Sequence, residues 1–204
     1  MNVPALCLLV YGVIWIALAI APSSRADWML ENVPAMIGVP CAIVGHRRFR
    51  FSDRAYVQAT ALLVLHAFGA HYTYSLVPAG DWLRDALHLT RNHYDRVVHF
   101  AFGLLMLRPV RELAFRSGAP RRGVELFLCT TVIAWWSVTY ELVEWFVAQV
   151  VDPAAGIAYL GTQGDVWDAQ KDMGLALLGA TLGALFELRR ETSRPGSGPS
   201  QPLS

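Results

Sequence analysis

The sequence predicts an all-α protein, a polytopic bundle of about six transmembrane helices with both termini in the cytoplasm. Of the 204 residues, 54% are hydrophobic and only 16% are charged, whereas a soluble domain averages roughly 25% charged residues. The apolar residues form six runs, and a helix needs about 20 such residues to cross the hydrocarbon of a membrane. The basic residues also lie mainly on one side of these runs. Together these observations argue against a soluble enzyme.

The six predicted spans follow one another along most of the chain. The second contains Pro34 and Pro40, so we expect it to be short and either kinked or thin. The first could instead be a cleaved signal peptide, because Ala19-Ile20-Ala21 has the form of a cleavage site, but no Lys or Arg precedes its apolar run. An Arg-rich turn extends the fourth. The spans cover residues 3–21, 29–44, 55–77, 94–107, 124–148 and 171–188.

The domain organisation predicted from these runs is simple. We expect a single transmembrane helical domain over residues 1–190. The last residues, 191–204, are rich in Ser, Pro and Gly, a composition that predicts a disordered cytoplasmic tail.

The basic residues set the predicted orientation. Five basic residues lie on the side of the membrane where the second, fourth and sixth spans begin, and eleven acidic residues lie on the same side. Cytoplasmic loops carry the excess of Lys and Arg, so the other side, with twelve basic residues, is predicted to be cytoplasmic in a multi-pass protein of the bacterial inner membrane. Those twelve are Arg47, Arg48, Arg50, Arg54, Arg108, Arg111, Arg116, Arg121, Arg122, Arg189, Arg190 and Arg194.

Two outer loops are predicted to border the bundle. Residues 78–93 carry an apolar stripe that includes Trp82 and Leu87 at helical spacing, which predicts a short helix on the membrane surface. It could close the bundle or act as a lid. Residues 150–161 carry no charge except Asp152, and we expect this loop to drape over the mouth of the bundle.

Ionisable residues cluster at the outer ends of the predicted spans, where their cost makes them functional candidates. Pairs three or four residues apart share one helical face, and the stripes below them contain small residues such as Gly103, Gly179 and Gly183, which favour close helix packing. We therefore expect the acidic stripes to face one cavity. Simple helix packing under a wet acidic cap is the alternative. The candidates are Glu31, His71, Arg91, His93, Asp95, His99, Glu141, Glu144, Asp165, Asp168 and Asp172.

Residues 162–165 give Asp165 a second interpretation. Thr162-Gln163-Gly164-Asp165 is similar to a capping box, which would start the sixth helix here and make Asp165 a helix cap. Arg91 and Arg96 could also neutralise the acids, and in that case the cluster would be an ion-pair network.

Three stretches carry a family resemblance across most of the chain. They are His71-Tyr72-Thr73-Tyr74, the run from Arg91 to Arg96 followed by His99, and the run from Gly161 to Met173. With Glu141 and Glu144-Trp145 they resemble the YjdF-like family of bacterial inner-membrane proteins. That family has no established activity, so the resemblance implies a topology and a set of motifs.

A more distant likeness is to VanZ-like membrane proteins, which are associated with glycopeptide resistance. Asp95-Arg96-Val97-Val98-His99 is similar to their Asp-Lys-x-x-His element, with Arg in place of Lys. A later Glu and a spaced Asp before a Gly-rich helix also match. The chain departs from that pattern in its length, its additional spans and Gln163-Gly164-Asp165.

The sequence leaves three kinds of function open. The first is binding of an ion, a lipid headgroup or a small polar ligand at the outer face, or transport of a solute or protons. Another is a structural or assembly role, in which the buried charges only pair with one another. The third is a metal-dependent or acid–base enzyme acting on a lipid-linked or envelope substrate. A divalent metal could be held by His99, Glu141, Glu144, Asp168 and Asp172. The lipid bilayer is the expected partner and the net charge of +1 does not favour nucleic acid. Catalytic residues and the oligomeric state are not determined by these patterns.

Overall fold

The computed structural model describes residues 1–116, 118 and 120–192, with no side-chain placement for 190–192. These residues form eight helices and no strand, which confirms the all-α class. The helices are α1 Val3–Leu18, α2 Arg25–Gly45, α3 Asp53–His71, α4 Pro78–Ala86, α5 Tyr94–Ala114, α6 Arg122–Val150, α7 Pro153–Leu160 and α8 Asp168–Thr192.

Each of the six predicted spans overlaps one of the six longer helices. By length and composition, α2 and α6 could cross a membrane, and α1 is a shorter apolar helix. Large apolar side chains, among them Trp135, Leu142 and Phe146 of α6, are exposed, as expected of helices that face lipid. The number of spans, the orientation and the single domain over residues 1–190 stay predictions.

Side-chain caps begin several of these helices. Asn2, Ser24 and Ser52 each accept a hydrogen bond from the backbone N–H three residues later, at 3.1–3.3 Å. Such caps satisfy donors that the first helical turn leaves unpaired. The caps at Ser24 and Ser52 therefore begin α2 and α3 before the apolar runs start.

Helices α2 and α3 differ from what their predicted spans suggest. Helix α2 is not short, because it has 21 residues and includes both Pro34 and Pro40. Helix α3 ends at His71, six residues before the predicted end of the third span, since Thr73 and Tyr74 have φ of 52° and 53°, a left-handed conformation that a helix cannot continue. The Tyr74 backbone N–H instead donates to the Gly69 carbonyl at 2.7 Å.

The predicted loop over residues 150–161 contains a helix, α7. Pro153 occupies its first position and the Asp152 side chain caps its N-terminus. Gly161, with φ of 57°, ends it. Helix α7 packs closely on α6, because a Cβ at Gly156 would lie 2.7 Å from the Ala148 carbonyl oxygen.

At the other end, helix α8 continues to Thr192, so its last two residues, 191 and 192, fall within the predicted tail. The boundary between the domain and the tail stays a prediction. The predicted disorder of residues 193–204 lies outside the described residues.

Helices α5 and α8 make the closest contact in the bundle. A Cβ at Gly103 would collide with the Ala176 carbonyl oxygen, and one at Gly179 would collide with that of Phe100. Further along, Gly183 meets Leu107, so the two helices run in parallel. This confirms the predicted packing faces of small residues. The core beside them consists of Leu107, Leu126, Cys129, Ile133 and Ala180.

Candidate functional site

The contact between α5 and α8 brings three ionisable residues together. Asp95 and His99 lie one turn apart on α5, so they share a face, and Asp172 of α8 lies opposite them. One potential ligand atom from each of the three lies within 4.8 Å of the others. Gly103 follows His99 by one turn and Ala176 follows Asp172 by one turn, so their backbone contact holds the three side chains at nearby levels.

Glu141 of α6 joins this group. The His99 Nε2 atom lies 3.4 Å from Glu141 Oε1 and 3.5 Å from Asp95 Oδ1. Within the described part of the chain, the buried atoms Glu141 Oε1 and Asp172 Oδ1 have no hydrogen-bond partner. A buried carboxylate oxygen without a partner is costly. We name Asp95, His99, Glu141 and Asp172 the carboxylate–histidine group.

A second acidic pair lies beside this group. The buried Glu31 of α2 accepts a hydrogen bond at 3.0 Å from the hydroxyl of Tyr140, whose ring packs on His99. Glu144 is close enough to Glu31 and Glu141 to interact with both electrostatically. Tyr140 was not among the predicted site residues, although its position directly before Glu141, in a predicted span with two carboxylates, could have identified it.

Asp165 and Asp168 belong to a separate network of arginines. Arg91 and Arg96 both pair with Asp168, and Arg96 also pairs with Asp165. Lys171 lies 2.6 Å from Asp165 Oδ2. Hydrogen bonds from Lys171 and from the Trp167 backbone N–H, and that from Arg96, hold the pKa of Asp165 well below its usual range. We name these five residues, Arg91, Arg96, Asp165, Asp168 and Lys171, the arginine–aspartate network.

The predicted capping box is wrong. Helix α8 begins at Asp168, three residues after the proposed box ends. Gln163 and Gly164 have positive φ, so the segment turns before the helix starts. The Asp165 side chain accepts from the Trp167 N–H at 3.1 Å within this turn. For this reason Asp165 does not lie on the helical stripe of Asp168 and Asp172.

The loop before α5 and the loop before α8, which contain two of the family motifs, contact each other. The backbone N–H of Asn92 donates to the Gln163 side chain, which in turn donates to the Asn92 carbonyl, both at 2.9 Å. The buried Asn92 side chain also donates to the Val77 carbonyl and to Asp81 of α4. Gln163 and Asn92 therefore tie the segment before α8 to α4. Both residues belong to the motifs that carry the family resemblance, but those motifs alone predict no role for either.

Two predicted histidines lie apart from the carboxylate–histidine group. His71 Nδ1 hydrogen-bonds to the Leu18 carbonyl at 2.7 Å, which joins the ends of α1 and α3. His93 precedes α5 and its Nδ1 accepts from Arg96 at 3.0 Å. Burial and the neighbouring guanidinium groups of Arg96 and Arg91 lower the pKa of His93, so it stays neutral and can accept that bond.

The fold and this site define an α-helical membrane protein with a carboxylate–histidine group near one end of its bundle, in which His99 and Asp172 are buried and Asp95 and Glu141 are half-buried. Residues 3–193 match the model of a family described as "Predicted membrane protein (DUF2238)", and the chain belongs to that family. It is 36% identical over 194 residues to the inner membrane protein YjdF of Escherichia coli (strain K12), a match that covers 93% of this chain and 89% of the relative. No solved structure matches it.

These comparisons confirm the YjdF-like resemblance and the inner-membrane location. They assign no biochemical activity. The likeness to VanZ-like proteins stays a prediction, and so do the binding roles of the individual residues.

Proposed function

We propose that the carboxylate–histidine group binds a divalent metal ion, and that this site opens to the outer face of an inner-membrane protein. The observation that carries the proposal is the pair of buried oxygens, Glu141 Oε1 and Asp172 Oδ1, without hydrogen-bond partners in the described residues. Both belong to residues grouped around His99, and the Asp172 residue is only 2% exposed.

Electrostatics supports this proposal. Carboxylates packed into a site of low dielectric constant repel one another unless a positive charge or a proton joins them. The guanidinium groups of Arg91 and Arg96 are engaged with Asp165 and Asp168, above the group. A metal ion would supply the missing charge to Asp95, Glu141 and Asp172.

The donor set favours a particular class of ion. One imidazole nitrogen with carboxylate oxygens suits a first-row divalent ion such as Zn²⁺ or Mn²⁺. The ligand atoms of Asp95, His99 and Asp172 already lie within 4.8 Å of one another, so small side-chain movements would bring them onto one ion. Among the residues first considered as ligands, Asp168 is instead held by the arginines, and Glu144 lies a turn away from Glu141.

The outer location rests on the charge distribution. Asp95 and Arg108 are 13 residues apart on α5, which corresponds to about 20 Å along a helix axis. The carboxylate–histidine group and the Arg-rich end therefore occupy opposite ends of the same helix. With the Arg-rich end in the cytoplasm, six spans carry both termini inside and the metal site opens outward.

Metal analysis of the detergent-purified full chain tests the proposal. We expect about one equivalent of bound Zn²⁺ or Mn²⁺ after loading and desalting. We expect the metal content of His99→Ala and of Asp172→Asn to be at least tenfold lower. Asp85→Asn, which removes an exposed carboxylate from α4, is the matched control and should keep its metal.

Two results would overturn this function. One is a loaded wild-type protein without metal, which would leave shared protons as the neutralising charge. The other is equal metal content in wild type and Asp172→Asn. If both site variants fail to fold, the wild type still decides whether one shared site exists. Zn²⁺ is added to the protein loaded with Mn²⁺, and the release of Mn²⁺ is measured by its electron paramagnetic resonance signal.

A further inference from the structure

The Arg-rich end of the bundle contains a second polar site, independent of the carboxylate–histidine group. A cavity of about 460 Å³ opens there between the segment after α2, the C-terminal part of α5 and the start of α6. Four arginines and two glutamates line it together with two aromatic rings. The lining residues are Phe49, Arg50, Arg108, Arg111, Glu112, Phe115, Arg116 and Glu125.

Part of this lining is a rigid ion-pair framework. Arg108 pairs with Glu187 at 2.7 Å, and Arg111 pairs with Glu125 at 2.7 Å. Glu112 accepts from the backbone N–H and the hydroxyl of Ser52, at 2.7 and 2.5 Å. These bonds join the ends of α3, α5, α6 and α8, so the floor of the cavity is preorganised.

The other two arginines have few partners at the rim. Arg116 stacks over the Phe49 ring, with its guanidinium carbon 4.7 Å from the ring centre, and no carboxylate of the described residues pairs with it. Arg50 lies 3.8 Å from Asp53, and both side chains are more than half exposed, so this pair is weak. The walls therefore carry more positive than negative charge, and the surplus lies on side chains that are available to a ligand.

We propose that this cavity binds a phosphate group, with Arg50 and Arg116 as its direct contacts. Guanidinium groups present paired N–H donors that match phosphate oxygens. Basic pockets between helices on the cytoplasmic side of membrane proteins bind anionic headgroups. The rings of Phe49 and Phe115 suit the glycerol and upper acyl carbons that accompany the phosphate of a membrane lipid, whereas a free phosphate would use the arginines alone.

Binding measurements on the detergent-solubilised full chain test this site. The probes are dihexanoyl phosphatidylglycerol, dihexanoyl phosphatidylcholine and inorganic phosphate. We expect the double variant Arg50→Gln/Arg116→Gln to bind at least tenfold more weakly whichever of these phosphate-containing probes the wild type binds. The matched control, Arg47→Gln/Arg48→Gln, removes two exposed arginines of the same loop outside the cavity and should bind within twofold of wild type.

The probes separate the two sources of phosphate. If the protein binds phosphatidylglycerol but not inorganic phosphate, the ligand is a lipid headgroup. If it binds inorganic phosphate as strongly as phosphatidylglycerol, the ligand is a free phosphate. The proposal is overturned if wild type binds no probe, or if both double variants lose binding equally, which would indicate unspecific surface charge. Thermal unfolding in the same detergent checks that each variant is folded, and this check depends neither on this site nor on metal binding.

Discussion

At the scale of single residues, helical spacing predicts which side chains share a face but does not predict how charges pair. The grouping of Asp95, His99 and Asp172 follows from i, i+4 spacing and from the glycines below them. The separation of Asp165 and Asp168 does not, because it depends on where the long side chains of Arg91 and Arg96 reach. No periodicity contains that information, since these contacts join residues more than 60 positions apart.

The lowered pKa of His93 gives a prediction about pH. Burial and then the charges of Arg96 and Arg91 favour its neutral form in the folded protein. The unfolded chain takes up a proton near pH 6.5, before the folded chain does, so stability is complete above that pH and falls as pH drops through it. We expect the melting temperature of wild type to fall between pH 7.5 and 5.5 by more than that of His93→Gln.

Thermal unfolding of both proteins in the same detergent measures this difference. Gln can still accept a bond from Arg96 but does not titrate, so it isolates the protonation of His93. Parallel curves for the two proteins across this pH range would contradict the assignment.

At the scale of helices, each predicted span overlaps one of the six longer helices, but the helix ends differ from the predicted limits. The end of α3 could not be foreseen because Thr73 and Tyr74 adopt a left-handed conformation that neither residue type favours. Helix α7 was missed because eight apolar residues between loops match a connecting segment as well as a helix. Pro153 at its first position and Gly161 after its end were the available signals.

The close approach of α5 and α8 leads to a prediction about Gly179. A Cβ there would collide with the backbone of Phe100, and backbone cannot move as a side-chain tip can. We expect Gly179→Ala to destabilise the protein by about 2 kcal/mol, typical of overpacking, and to lower metal affinity by moving Asp172 away from His99.

Gly174→Ala is the control in the same helix, since a Cβ at Gly174 meets nothing within 4 Å. It should be neutral or stabilising by up to about 1 kcal/mol, because Ala is the better helix former. Thermal unfolding and metal titration provide both quantities. Equal effects of the two substitutions would show that the contact between α5 and α8 is not tight.

At the scale of the whole molecule, the chain has two chemically different ends. The carboxylate–histidine group and the arginine–aspartate network lie near the start of α5 and α8, and an Arg–Glu framework joins the other ends of these helices. The one-sided count of arginines predicted this polarity. It did not predict the cavity between those arginines, which arises only when the ends of several helices meet.

This polarity predicts the labelling of single cysteines. In a chain with Cys7, Cys41 and Cys129 replaced, an impermeant thiol reagent should label Asp85→Cys from outside the inner membrane. It should label Pro120→Cys only after the membrane is opened. Labelling of Pro120→Cys in intact spheroplasts would contradict six spans with both termini inside.

The most direct test of the metal site is pulsed electron paramagnetic resonance of the protein loaded with Mn²⁺. An imidazole nitrogen bound to the ion modulates the spin echo. We expect this nitrogen signal in wild type and in His93→Gln, whose histidine lies outside the group, and we expect it to disappear in His99→Gln. Bound Mn²⁺ without a nitrogen signal, or a signal that persists in His99→Gln, would rule out His99 as a metal ligand.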